Sequence, residues 1–124
     1  GFCLNIGNPH IIFFVKDCFK YDLSKIGPKI ENHKIFPEKT NVTFAKINDK
    51  NNVIVNVWER GAGLTKACGT AACATAVAAF IKKLTGNNIN IKFKEGVLNI
   101  KIDEGFNIFM TGLVSSIENI KIEI

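Results

Sequence analysis

A thiol, a charged pair and a glycine-rich turn stand close together in the middle of this sequence. Residues 58–85 read WERGAGLTKACGTAACATAVAAFIKKLT, so Glu59-Arg60 precedes the turn at 61–63 and Cys68 precedes Gly69-Thr70. The alanine-rich segment that follows predicts a helix, with residues 68–70 on its first turn. First-turn amides have no partner within the helix, and the helix dipole is positive there. A thiol in that position has a lowered pKa, and the free amides can hold a carboxylate or a phosphate. The pattern predicts an activated sulfur beside an anion-binding site; the alternative is that Cys68 is a buried structural thiol.

Further polar residues stand where apolar segments end, so that a folded sheet can bring them together. They are Asn8 and His10 after the first segment, Asn41 before a later one, and Glu59-Arg60 before the helix. Taken singly, the asparagines are typical of turns, and Glu59-Arg60 could be an exposed ion pair that contributes under about 1 kcal/mol. Taken with Cys68, they predict a site for an amino-acid zwitterion. Arg60 and the helix amides would hold carboxylates, and Glu59 with asparagine oxygens would hold an ammonium group.

The predicted helix has a composition that requires burial on every side. Residues 67–80 contain seven alanines and no charge, and alanine has the highest helix propensity. A helix that is apolar on every face must be surrounded by other elements. Lys82-Lys83 and then Gly86-Asn87 predict its end. It is shorter than the roughly 20 apolar residues that a membrane span needs.

Short β-rich segments flank this helix on both sides in the sequence. Eight strands are predicted, at residues 1–6, 11–15, 42–47, 53–58, 89–93, 97–102, 108–111 and 117–124. Residues 7–10 and 36–41 are predicted to break regular structure. A second helix is predicted at 22–32, capped by Asp22 and broken near Gly27 because Pro28 follows. The fold predicted for residues 1–124 is a single α+β domain: a mainly antiparallel, barrel-like sheet of about eight strands wrapped around one buried central helix.

The composition argues against several classes of function. The net charge is +5, but the basic residues are mostly lysines spread along the strands, so binding to nucleic acid is not expected. Four cysteines occur without a Cys-x-x-Cys motif, and His10 and His33 stand apart, so a metal site is not expected. We expect reduced thiols and a cytoplasmic protein, with no membrane segment and no targeting peptide in this sequence.

Four segments of the sequence, taken together, resemble one enzyme family. Gly7-Asn8-Pro9-His10, the FPEKTN segment at 36–41, Glu59-Arg60-Gly61-Ala62-Gly63 and Ala67-Cys68-Gly69-Thr70 occur in the order and approximate spacing of diaminopimelate epimerases. Met110-Thr111-Gly112 is also similar to that family. Each segment alone is a weak signal, whereas four in register are specific. The resemblance covers essentially the whole chain and corresponds to the C-terminal half of the enzyme, so that the N-terminal domain is absent from this sequence.

The resemblance implies an isomerase that interconverts LL- and meso-diaminopimelate in lysine and peptidoglycan biosynthesis, without pyridoxal phosphate, metal or other cofactor. Two cysteines face opposite sides of the substrate α-carbon; one thiolate removes the proton and the other thiol donates one. Cys68 matches the second cysteine, and His10 and Glu59 match polar residues close to the thiols. The substrate-binding positions of the family correspond to Asn8, Asn41, Glu59, Arg60, Gly69 and Thr70. The expected partners are the N-terminal domain of the same enzyme, across the cleft that holds the site, and a second copy in a homodimer.

The sequence departs from the family pattern at a few points. Leu64 stands where the family usually has Glu, and Ala71 stands where it usually has Gly. The first catalytic cysteine belongs to the N-terminal domain, and Cys73 cannot replace it. Five residues along a helix correspond to a rotation of about 500°, which points Cys73 to a different face from Cys68. We therefore expect the isolated chain to fold but not to epimerise.

Three other readings remain open on the sequence. A proline racemase or a phenazine-type isomerase would share the fold and the thiol chemistry, although Glu59-Arg60-Gly61 and the Asn8 turn favour diaminopimelate. A cysteine hydrolase could use Cys68 with His10 as its base. A non-catalytic binding half-domain is the third reading, and it would be distinguished by whether the full gene supplies an upstream cysteine.

Overall fold

The computed structural model describes residues 1–34, 39–59, 63–65, 69–94, 96–112 and 120–123. Two helices lie within these ranges, α1 (Leu23–Glu31) and α2 (Gly69–Ile81). The strands there are β1 (Phe2–Asn5), β2 (Pro9–Phe14), β3 (Asn41–Asp49), β4 (Asn52–Glu59), β5 (Gly63–Thr65), β6 (Asn88–Phe93), β7 (Gly96–Ile102), β8 (Asn107–Gly112) and β9 (Ile120–Glu123). All these strands belong to one sheet, in the order β1-β2-β3-β4-β6-β7-β8-β9, with β5 paired to β4. The predicted α+β class and the mainly antiparallel sheet are confirmed.

Two of the strand pairs are parallel, and each is joined by a helix. Strand β2 pairs in parallel with β3, and β4 pairs in parallel with β6. Parallel neighbours need a crossover connection rather than a hairpin. Helix α1 lies in the β2–β3 connection and α2 lies in the β4–β6 connection. Each parallel pair therefore has a helix in its connection, and that helix packs against the sheet.

Helix α2 occupies the inner face of the sheet. Its residues from Ala71 to Ala79 are all buried, and it contacts β1, β2, β3, β6, β7 and β8. The core around it includes Val53, Val55 and Val57 from alternate positions of β4. Alternate residues of a strand point to one face, so that this face of β4 is turned towards α2. The predicted central helix, buried among strands, is confirmed.

Helix α1 packs on the other face of the same strands. Leu23, Ile26 and Ile30 form a second cluster with Ile54 and Trp58 of β4, which are the residues that alternate with its inward-facing valines. Further members of this cluster are Ile11, Phe13, Val15, Cys18, Val42 and Phe44. The sheet is therefore covered on both faces where β3 and β4 run.

The predicted break of α1 near Gly27 is wrong, because the helix continues through Pro28 to Glu31. A proline inside a helix removes one N–H donor, but the last turn is closed by the Asn32 amide, which donates to the Pro28 carbonyl over 3.0 Å. The Asp22 cap is confirmed, since its side chain accepts a hydrogen bond of 3.1 Å from the Ser24 amide.

Helix α2 ends earlier than predicted. Lys83, rather than Gly86, adopts the left-handed conformation, with φ of 60°. The Leu84 amide donates to the Ala79 carbonyl over 2.9 Å, and the Lys83 amide donates to the Phe80 carbonyl over 3.0 Å. This pair of bonds is the Schellman arrangement, which satisfies carbonyls that the helix leaves open.

Two strand boundaries also differ from the sequence prediction. Strand β2 begins at Pro9, inside the segment that was predicted to break regular structure. Strand β5 was not predicted, and its first residue, Gly63, was assigned to a turn. Pro9 is tolerated at the first position of a strand. Neither α1 nor α2 has the length and apolar character needed to cross a membrane, within the part of the chain that is described.

Candidate active site

Three of the predicted site residues meet where β2 and β3 begin. These strands are parallel neighbours, and their register places His10 opposite Asn41. Asn8 stands just before β2, and its Oδ1 atom lies 3.0 Å from Nε2 of His10, which donates when that nitrogen carries the proton. His10 is only 1% exposed. The ring is therefore held in a fixed position at the edge of the sheet.

Asn41 ties the two strand starts together. Its side-chain amide donates to the Pro9 carbonyl over 3.0 Å, and the residue is 1% exposed. Such a buried amide costs free energy unless it is hydrogen-bonded. The interaction therefore explains why an asparagine can occupy this buried strand position.

Glu59 lies at the same end of the sheet. Strand β4 runs antiparallel to β3, and Val42 is opposite Trp58. Glu59 is therefore one step further along, level with Asn41. It is half-buried and ends β4, where it pairs with Gly63 of β5. Three strand ends thus bring Asn8, His10, Asn41 and Glu59 to one edge.

The first turn of α2 is directed towards this edge. At the opposite end of the helix, the Gly86 amide donates to the Lys50 carbonyl over 3.0 Å, in the turn between β3 and β4. The Nζ atom of Lys82 lies 5.7 Å from the centre of the ring of Phe14, the last residue of β2. Since the helix C-terminus lies where β2 ends and β4 begins, its N-terminus points to where β2 begins and β4 ends. Gly69 and Thr70 open the helix on that side.

Gly69 lies close to the flexible end of the Met110 side chain. A Cβ atom at this position would lie 2.9 Å from Cε and 3.1 Å from Sδ of Met110. Met110 belongs to β8, so the start of α2 packs against that strand. The sequence placed Gly69 on the first turn of the predicted helix but gave no sign of this contact with Met110.

Two central predictions fall outside the described residues. Cys68 and Arg60 lie there, as do Gly61, Ala62 and residues 35–38. Leu64 is described as part of β5, opposite Trp58, and Ala71 is buried in the core.

The cysteines that are described lie in three different settings. Cys73 is fully buried in α2, and Cys18 is buried under α1. Burial raises the pKa of the Cys18 thiol, because the thiolate loses its hydration. Cys3 is exposed on β1. Within the described ranges, no three His, Cys, Asp or Glu side chains are grouped so that they could hold a metal ion.

The sequence of this chain matches the family model described as "Diaminopimelate epimerase" over residues 2–117. The chain belongs to the diaminopimelate epimerase family. It is 60% identical over its full length to the diaminopimelate epimerase of Pelagibacter ubique, and it covers 45% of that protein. It is 50% identical over 110 residues to the enzyme of Rhodopseudomonas palustris strain TIE-1, which is 88% of this chain and 38% of that protein. The chain therefore spans less than half the length of these curated relatives.

Solved structures of more distant proteins share the fold. A phenazine biosynthesis protein of the PhzF family from Bacillus anthracis aligns with 87% of this chain and 35% of its own, with a TM-score of 0.58 and 20% identity. One from Enterococcus faecalis aligns with 84% of this chain and 37% of its own, with a TM-score of 0.60 and 16% identity. At such low identity the similarity establishes the architecture and not the reaction.

One contact beside the site was not found by sequence reasoning. The indole N–H of Trp58 donates to Oε1 of Glu31 over 2.8 Å. The two residues are 27 positions apart, and each lies within an ordinary amphipathic pattern. No local signal could have paired them.

Proposed function

We propose that this chain is the C-terminal half of a two-domain, cofactor-independent epimerase that interconverts LL- and meso-diaminopimelate. The observation that carries the proposal is the convergence of Asn8, His10, Asn41 and Glu59 on the side to which α2 directs its first turn, in a chain of this family. The proposed location is the cytoplasm, and the proposed pathways are lysine and peptidoglycan biosynthesis.

In this proposal the substrate is held through its charged groups. Glu59 and the side-chain oxygens of Asn8 and Asn41 bind ammonium, and Arg60 binds carboxylate together with the amides of Gly69 and Thr70. The α-carbon of an amino acid is a weak acid, so the carbanion-like state requires electrostatic help. Amides directed at the α-carboxylate supply it, because the developing charge spreads onto that group.

Proton transfer then needs two thiols on opposite faces of the α-carbon. A thiolate removes the α-proton and becomes a thiol, and the second thiol donates its proton to the other face and becomes a thiolate. Cys68 is the thiol from this chain, and His10 and Glu59 are polar groups beside it. The other thiol comes from the N-terminal domain. The 124-residue chain alone is therefore expected to be inactive, and detectable epimerisation by it would contradict the two-thiol scheme.

The proposal is tested with the whole protein by following deuterium exchange at the α-carbon of LL-diaminopimelate in heavy water. Cys68→Ala is expected to abolish epimerisation, because one face of the substrate has lost its acid. Cys73→Ala is the matched control, since this thiol is fully buried in α2, and it should still epimerise. Parental epimerisation by Cys68→Ala would rule out the proposed role of this thiol.

A cysteine hydrolase is distinguished by a second measurement on the same proteins. A reactive ester probe would leave an acyl group on Cys68 of a hydrolase, which mass spectrometry detects. We expect no turnover of the ester by the parent protein.

A further inference from the structure

A buried carboxylate links α1 to the two strand ends of the candidate site. Glu31, the last residue of α1, is 6% exposed. Its Oε1 atom accepts the 2.8 Å hydrogen bond from the Trp58 indole, and its Oε2 atom lies 4.0 Å from Nζ of Lys39. Hydrogen bonds to a charged group are stronger than those between neutral groups. One side chain therefore contacts two segments: the hydrogen bond joins α1 to β4, and the ion pair with Lys39, whose side chain is 56% exposed, is the weaker contact.

Both of these segments lead directly to residues of the site. Trp58 precedes Glu59 in β4, and Lys39 stands two residues before Asn41, where β3 begins. Lys39 also has a φ of 63°, which is a sparsely populated conformation for a residue with a side chain. The Glu31 carboxylate therefore contacts a residue whose backbone conformation is unfavourable by itself and has to be maintained by neighbouring contacts.

Helix α1 is shaped to receive the indole. A Cβ atom on Gly27 would lie 2.4 Å from Cγ and 2.6 Å from Cδ2 of Trp58. The ring therefore lies directly against the helix backbone, and Glu31, one turn further along, receives its N–H. Packing and a hydrogen bond fix the same side chain, which leaves the end of β4 little freedom.

We propose that Glu31 is a positioning residue, which acts through Trp58 and Lys39 to set the placement of Glu59 and Asn41. This inference rests on the proposed function, in which those two residues bind the ammonium group of the substrate. Glu31 itself does not touch substrate. Loss of the Glu31 carboxylate would let the end of β4 and the start of β3 move. Small displacements of groups that bind the substrate reduce reaction rates strongly.

The test uses the whole protein and three substitutions. Glu31→Ala removes the acceptor, and Trp58→Phe removes the donor while keeping an aromatic ring against Gly27. We expect each to lower kcat/KM for diaminopimelate by about ten- to a hundredfold. The double variant should be no worse than the single ones, because both break the same bond. Glu31→Gln keeps an oxygen that accepts from the indole and loses only the 4.0 Å ion pair with the exposed Lys39 side chain, which contributes little. It should therefore retain kcat/KM to within a few-fold.

Leu23→Ala is the matched control for a purely structural role. Leu23 is buried in the same helix, so its truncation weakens the packing of α1 without removing the Trp58 bond. Assayed well below its unfolding temperature, Leu23→Ala should keep the parental kcat/KM. Equal losses in Leu23→Ala and Glu31→Ala would overturn the proposal, as would parental activity of Glu31→Ala.

A second readout separates this inference from the proposed function. The backbone amide resonances of Asn41 and Glu59 should shift in Glu31→Ala and stay in place in Leu23→Ala, whatever reaction the parent protein catalyses. If the parent does not epimerise but these shifts occur, the proposed function fails and the positioning role stands. If the parent epimerises and the resonances do not move in Glu31→Ala, the positioning role fails alone.

Discussion

The two helices of this chain lie on opposite faces of the same strands and are held there in different ways. Helix α2 is buried along nine consecutive residues, most of them alanine. Helix α1 buries only Leu23, Gly27 and Glu31, and it is held by one apolar face, by its Asp22 cap and by the Trp58 hydrogen bond. The difference separates a helix held by close packing on all sides from one held by packing on one face and by a few specific contacts, and the proposed positioning role of Glu31 rests on the latter.

The largest expected effect is from enlarging a side chain inside α2. Ala76 is completely buried among the strands, so Ala76→Leu must push them apart. We expect a loss of about 3 kcal/mol in the free energy of unfolding, measured by urea denaturation. Lys25→Leu places the same side chain at an exposed position of α1 and should alter stability by less than about 0.5 kcal/mol. Equal stabilities of these two variants would remove the contrast between the helices.

A smaller but clear effect is expected from adding one methyl group to α1. Gly27→Ala should lower the free energy of unfolding by about 2 kcal/mol, although alanine favours helices over glycine. The reason is that the new Cβ overlaps the Trp58 ring. Gly86→Ala is the control, because nothing lies within 4 Å of a Cβ there, and it should leave stability unchanged or slightly higher. A stabilising Gly27→Ala would show that the indole does not lie on α1.

Replacing one hydroxyl inside α2 is expected to stabilise the protein. Thr75 is fully buried, and its Oγ1 has no hydrogen-bond partner among the described residues. Thr75→Val removes a polar group that burial penalises and should add about 1 kcal/mol to the free energy of unfolding. Thr40→Val should instead lower the free energy of unfolding, because that buried hydroxyl donates to the Asn41 carbonyl over 3.1 Å. If Thr75→Val destabilises as much as Thr40→Val, the Thr75 hydroxyl is satisfied in solution.

The smallest effect is expected at the exposed cap of α1, and it depends on pH. Hydrogen bonds from Ser24 lower the pKa of Asp22. A lowered pKa means that this carboxylate contributes its stability above the unfolded value of about 3.9 and loses it as pH falls through the folded value. Asp22→Asn should keep most of the cap and lose this pH dependence, and Asp22→Ala should lose both. Melting temperatures between neutral and acidic pH would show this, and parallel profiles for parent and Asp22→Asn would contradict it.

Local sequence patterns predicted much of the fold but not the contacts between distant segments. The uncharged alanines of α2 show from the sequence alone that this helix is buried on every side. The alternating valines of β4 show that one face of this strand is buried, so both elements were predicted. The parallel pairs and the short strand β5 depend on hydrogen bonds between segments that no local window contains. The left-handed Lys83 was missed for a different reason: its helix-ending bonds are local, but a lysine stands where glycine is usual. The same limit applies to the site. Strand ends indicated where Asn8, Asn41 and Glu59 belong, whereas the Trp58–Glu31 bond required the structure.

The most direct test of the proposed site is the position of diaminopimelate in a crystal structure of the whole protein. The proposal predicts that the substrate ammonium lies about 3 Å from oxygens of Glu59 and of Asn8 or Asn41, with a carboxylate at the first-turn amides of α2. Substrate bound away from this edge of the sheet, with none of these groups in contact, would contradict the proposal.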